Sequence, residues 1–244
     1  MQVLSQKKYE KISRRNKKNR YPIENHGIDP SSAAHKIFSK IISFLKSKSH
    51  EKTYLWQTLR FAKGKRDNIM QFPESYEYPN APYFAEYLQF DADANLLEVF
   101  GQQTKQIEAV YEPLTEQQGN SAYAAGKWSL KQLLGHMVDS ERIFAYRALA
   151  ISRGETQSLP GFNENEYMEQ AGYENQSLQD VLAQYKTTRA ATIALVKSFT
   201  QTQGNAMGSA NGHKISARAL AWMIAGHEKH HLNVIQARYL TVFS

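Results

Sequence analysis

The chain has 244 residues, enough for one principal core, and its lack of cysteine excludes disulfides, thiolate metal sites and a cysteine nucleophile. Its formal charge of +7 is unevenly placed, because residues 1–69 hold 17 Lys or Arg against 5 Asp or Glu, whereas residues 70–244 hold 13 against 18. The larger part would repel a phosphate backbone, so nucleic acid is excluded as its partner; no apolar run reaches the ~20 residues of a membrane span, no secretion signal opens the chain, and a cytoplasmic location is expected.

Residues 1–69 read as a basic extension. The run KISRRNKKNR has almost nothing to bury and the composition of a disordered arm. After Pro30, Ile37, Phe38, Ile41, Ile42 and Leu45 fall near helical spacing among lysines, which suits a short amphipathic helix on a membrane surface or partner. A second reading removes the segment from the native protein: Lys65-Arg66-Asp67 can be encoded by a purine-rich ribosome-binding sequence upstream of Met70, where the charge also changes sign. The expected organisation is a 1–69 extension and a 70–244 functional domain.

Residues 71–90 are aromatic and broken by proline, and are expected to wrap a bundle rather than form a regular element. Four helices follow. The first spans about 95–111 and stops before Pro113. The second opens at Ser129, with Gln132 placed to complete a capping box, and runs to Gly154. Residues 155–176 contain Pro160-Gly161 and Gly172 and read as a long loop with room for a short turn of helix, a length often tied to function. The third helix starts at Ser177 and runs to about 200; Gly204, Gly208 and Asn211-Gly212 suggest a small hairpin. The fourth spans about 216–243. This pattern predicts an all-α, four-helix bundle, with Trp128 and Trp222 packing its ends.

The chemistry lies on the second and fourth helices. Leu220, Ile224, His227, His231, Val234 and Arg238 succeed one another at steps of three and four, so two histidines occupy a stripe where a core would take leucine. One helical turn apart, their imidazoles can bind a single ion. A third ligand is needed for the usual three-plus-open arrangement, and His136, after the apolar Leu130, Leu133 and Leu134, has the matching context. His213 falls in a turn, and His230 is rotated about 100° from its neighbours. Unshared, three buried imidazoles would each leave polar atoms unsatisfied at a cost of about 1–3 kcal/mol.

His227-Glu228-Lys229-His230-His231 also matches the H-E-x-x-H pattern of zinc proteases. The 13 residues that follow contain no His, Asp or Glu to complete such a site, and Glu228 points more than a quarter turn away from the histidine pair. A protease is therefore not expected. Asp139 and Glu141 can accept a ring N–H from the site or carry protons, or can simply pair with Arg142 or Arg147.

The segments WSLKQLLGHMVDSERIFAYRAL, LPGFNENEY and ISARALAWMIAGHEKHHLNVIQARYL, in this order, resemble the DinB-like family of four-helix metal proteins, which includes YfiT-type metal-dependent hydrolases and bacillithiol transferases. The resemblance covers about 72–240. It places the family's ligands on His136, His227 and His231, and implies a compact bundle of the DinB/YfiT type, a homodimer, and one divalent ion such as nickel or zinc. The histidines themselves do not choose the metal. Three activities stay open: a hydrolase that activates water, an S-transferase that activates a low-molecular-weight thiol against a small-molecule substrate, and a non-catalytic metal-binding stress-response protein.

Overall fold

The computed structural model describes residues 70–240, so the basic extension and its amphipathic stretch lie outside the described residues. Eight α-helices occur within them: α1 Pro82–Tyr87, α2 Leu96–Tyr111, α3 Glu116–Gly119, α4 Leu130–Ser152, α5 Glu164–Ala171, α6 Leu178–Lys197, α7 Gln201–Gly204 and α8 Ala217–Val234. The four long ones, α2, α4, α6 and α8, build the bundle. Strands β1 Met207–Ala210 and β2 His213–Ser216 form one antiparallel hairpin beside it.

Side-chain caps set most helix starts. Asn95 accepts from the Leu97 and Glu98 amides ahead of α2, and Ser129 with Gln132 forms the expected capping box of α4. Ser177 accepts from Asp180 N, and Ser216 from Ala219 N. Asn211 and Gly212 take φ values of 53° and 75°, the left-handed pair that a two-residue hairpin turn requires.

Helix α8 packs on α4 and α2, and α6 packs on the same two from the other side, so α2 and α4 stand at opposite corners. Two apolar clusters fill the bundle. One holds Leu96, Phe100, Phe144, Ile151, Val196 and Trp222; the other holds Ile107, Tyr111, Leu134, Tyr185, Leu232 and Ile235. The order in which each helix passes these clusters shows that α2 and α8 run one way and α4 and α6 the other. Because α4 and α6 are parallel neighbours, the chain must travel the length of the bundle between them. Residues 155–176 do this, and their length follows from the topology.

Four details differ from the sequence reading. The crossover contains α5 and a 3₁₀ turn, Tyr173–Asn175, and the wrapping segment contains α1. The last five described residues before Leu240 wind as a π-helix, Ile235–Tyr239, whose wider turn buries Ile235 and Tyr239 in place of Val234 and Arg238. Trp222 is fully buried beside the wrapping segment, donating to the carbonyls of Met70 and Gln71 at 3.2 and 3.1 Å.

The same segment is anchored further along. Glu77 accepts from Ser216 Oγ at 2.7 Å and from Arg218 Nε at 3.1 Å, and forms an ion pair with the Arg218 guanidinium. Burial raises the Glu77 carboxyl, but the Arg218 and Ser216 bonds outweigh it and hold the group below its ordinary value. At Gly226 the Tyr87 carbonyl comes so close that an added Cβ would lie 2.1 Å from it. Glycine lets α1 rest directly on α8 one residue before His227.

Candidate metal centre and its cavity

Between the two apolar clusters every long helix contributes polar side chains. Gln103 comes from α2, Ser140 and Glu141 from α4, Thr188, Arg189 and Thr192 from α6, and His227, Glu228 and His231 from α8, all buried. This belt has two parts, a closed ionic centre and an open histidine face.

In the ionic centre, Arg189 donates from Nε to Glu141 Oε1 at 2.9 Å, and from Nη2 to Glu141 Oε2 at 2.7 Å and Glu228 Oε2 at 2.5 Å. Tyr185 adds its hydroxyl to Glu228 at 3.0 Å, and the Phe100 ring lies 4.5 Å from the guanidinium. All four bundle helices meet here. Burial opposes the Arg189 charge, yet the Glu228 and Glu141 carboxylates prevail and push its pKa up. Burial likewise raises the Glu228 carboxyl despite Arg189 beside it.

The histidine face is built from α4 and α8. His136 Nε2 lies 3.0 Å from His227 Nε2, which lies 3.0 Å from His231 Nε2. One nitrogen from each of the three rings falls within 4.8 Å of the others. The spacing of one helical turn, expected to aim His227 and His231 at a common point, does so, and α4 brings His136 to it. Burial pulls His136 down to about 4, with His230 adding a smaller repulsion, and drives His227 and His231 well below their ordinary value. Burial thus favours the neutral form of all three rings, the form that can present a lone pair to a metal.

This donor set fits a divalent ion. Metal–nitrogen bonds of about 2.0–2.1 Å at tetrahedral angles place donor atoms ~3.3 Å apart, close to the 3.0 Å that separates His227 Nε2 from the Nε2 atoms of His136 and His231. No carboxylate or carbonyl bonds to any of the three Nε2 atoms among the described residues, and His231 Nδ1 is buried without a hydrogen-bond partner.

The triad opens into a cavity of about 430 Å³. Trp128 stacks obliquely on His136 with centroids 4.9 Å apart, while Tyr87 and Phe144 stand edge-on to His227 at 5.7 and 5.9 Å. Trp128 is thus a wall of the site and not only a cap on the bundle end. Phe162 and Glu164 of the crossover also line the cavity, as do His213 and His230. His230 bonds Glu86 at 2.9 Å through Nδ1 and contributes no nitrogen to the triad.

The acidic candidates near His136 are employed elsewhere. Asp139 pairs with Arg142 at 3.3 Å, and Glu141 is taken up by Arg189. Glu228, the glutamate of the protease-like pattern, has both oxygens bonded in the ionic centre and does not line the cavity. Arg189 escaped the sequence reading, although a charged residue in the buried stripe of Leu178, Val181, Leu182, Tyr185 and Val196 was its signal.

Residues 100–235, more than half of the chain, match the DinB superfamily. Among solved structures, a likeness is found to YfiT from Bacillus subtilis, described as a probable metal-dependent hydrolase with an unusual four-helix bundle topology. The two share 17% identity and a TM-score of 0.54 over 70% of this chain and 95% of that one. No curated protein matches the sequence. With the family's match spanning all four bundle helices from Phe100 onward, the chain belongs to the DinB superfamily.

Proposed function

We propose that this protein is a metal-dependent enzyme that holds one divalent ion on His136, His227 and His231 and turns water or a small thiol against a small-molecule electrophile in the adjoining cavity. The observation that carries the proposal is the convergence of three buried, neutral imidazole nitrogens on the wall of an open 430 Å³ space. A divalent ion bound there supplies Lewis acidity and lowers the pKa of a water or thiol that reaches it.

The chain's own residues do the rest. Burial keeps the imidazoles unprotonated, so proton competition for their lone pairs is weak at neutral pH. Trp128, Tyr87 and Phe144 surround the triad with ring faces and edges, which limits the water around the reacting atoms. Phe162 and Glu164 bring the crossover into the lining of the same cavity, where it can hold the electrophile. The sequence contains no cysteine, so a transferred sulfur must come from a low-molecular-weight thiol.

The test incubates zinc- or nickel-loaded protein with monochlorobimane and, separately, with p-nitrophenyl acetate, with and without a panel of small thiols. Conjugate formation that needs both the metal and His227 supports thiol transfer, and ester hydrolysis with the same dependence supports the water reaction. Stable metal binding with no metal-dependent turnover of either probe would defeat the enzyme reading and leave a metal-binding protein.

A further inference from the structure

Four cationic side chains are buried among the described residues: Lys131, Arg147, Arg189 and Arg218. Three have a carboxylate partner, Glu116 for Lys131, Glu141 and Glu228 for Arg189, and Glu77 for Arg218. Arg147 has none. Its Nη2 donates to the Pro160 carbonyl at 2.5 Å, and its guanidinium lies 5.8 and 5.7 Å from the Phe144 and Phe162 ring centroids. A buried cation without a counter-charge is costly, and burial does pull its pKa down. Yet Arg147 is 6% exposed and, among the described residues, is the sole Lys or Arg lining the cavity. Glu164, on the same cavity, is exposed and forms no ion pair with it.

We infer that Arg147 is the anchor for a substrate carboxylate, so that the cavity selects elongated monoanionic organic molecules with the carboxylate at Arg147 and the reacting group at the triad. The inference rests on reading this cavity as the substrate site. His136, Ser140, Phe144 and Arg147 follow one another at steps of four, four and three on α4 and all line the space. Eleven residues of helix span ~16 Å, and an arginine side chain leaning back towards the helix N-terminus leaves roughly 10 Å between anion and triad. That length suits a short chain or a single ring between the two ends. Phe144 and Phe162 flank the middle, which favours an apolar segment there.

One occupied edge of the guanidinium, at Pro160, leaves one fork for a planar carboxylate. Among the described residues no second Lys or Arg lines the cavity, so a doubly charged phosphate at the Arg147 end would be undercompensated. Ser140 Oγ, buried and without a partner, lies between the anchor and His136 on the same stripe.

The experiment measures binding of 4-phenylbutyrate, its uncharged twin 4-phenylbutan-1-ol and a phosphate monoester of equal length to the full chain by calorimetry. Each titration is made on metal-stripped and on zinc-loaded protein. The acid should bind at least about tenfold more tightly than the alcohol, as expected for a hydrogen bond to a charged group, and more tightly than the phosphate. Arg147→Met should erase the acid's advantage with zinc content unchanged, and Arg147→Lys should keep the preference with about threefold weaker binding. Absence of acid preference in the parent protein, or its persistence in Arg147→Met, would overturn the inference, as would Arg147→Lys indistinguishable from the parent or tighter binding of the phosphate. The preference is read on stripped protein, so failure of zinc to bind would count against the proposed function without deciding this inference.

Discussion

At the scale of single residues, the three histidines differ sharply from the other two near the cavity. His227→Ala or His231→Ala should each remove most bound metal, measured as metal per chain after dialysis, whereas His213→Ala and His230→Ala should leave it. Equal metal content in all four variants would reject the assignment. The pH behaviour of the metal-free protein follows from the lowered His136 pKa. The unfolded chain takes a proton near 6.5 that the folded chain refuses until about 4, so the folded state loses stability as pH falls through this window and is unaffected above it. Relative to His136→Asn, the metal-free parent should lose roughly 3 kcal/mol between pH 7 and 4, read by denaturant unfolding; a pH-independent difference would contradict the buried, neutral ring. The His227–His231 pair was legible in the sequence because the two histidines interrupt an apolar stripe at one-turn spacing, a local signal, whereas His136 was joined to them by its apolar helical context and the family resemblance. The partners of Glu141 and Glu228 were not legible, since Arg189 reaches them across the bundle from a helix whose spacing encodes no partner.

At the scale of elements, the ionic centre ties α4, α6 and α8 together through one guanidinium. Arg189→Met removes the charge and leaves two buried carboxylates facing each other, so destabilisation of about 3–5 kcal/mol is expected. Tyr185→Phe removes one hydrogen bond to a charged group and should cost about 1.5–3 kcal/mol. Thermal unfolding of both variants checks the order, and an Arg189→Met protein as stable as Tyr185→Phe would show that the centre does not hold the helices. Helix boundaries were legible where a side chain caps them, as at Asn95, Ser129, Ser177 and Ser216. Helices α1 and α5 were not, because six and eight residues are too few for local propensity to decide and packing fixes them instead. Gly226 illustrates this: α1 sits where it does because a residue on a distant helix has no side chain.

At the scale of the whole molecule, the triad and the described lining of the cavity fall within residues 70–240. We propose that the 70–244 domain is the functional unit, and a chain beginning at Met70 should show the same metal content and unfolding midpoint as the full chain. A loss of metal binding on removal of residues 1–69 would refute this. Parallel α4 and α6 were not legible from helix periodicity, which carries no direction; only the length of the 155–176 segment hinted at them.

That crossover has a consequence for how such a protein can diverge. Its ends are fixed by the bundle, but its middle supplies Phe162 and Glu164 to the cavity while donating nothing to the triad or to the ionic centre. Changing its length is inexpensive, since doubling a flexible connection adds only about 0.6 kcal/mol. On the proposed function, the fold separates a constant histidine triad from a crossover whose exposed residues can be rewritten to try new substrates, as long as Pro160 keeps its bond to Arg147 and Met168 and Tyr173 keep their places in the core.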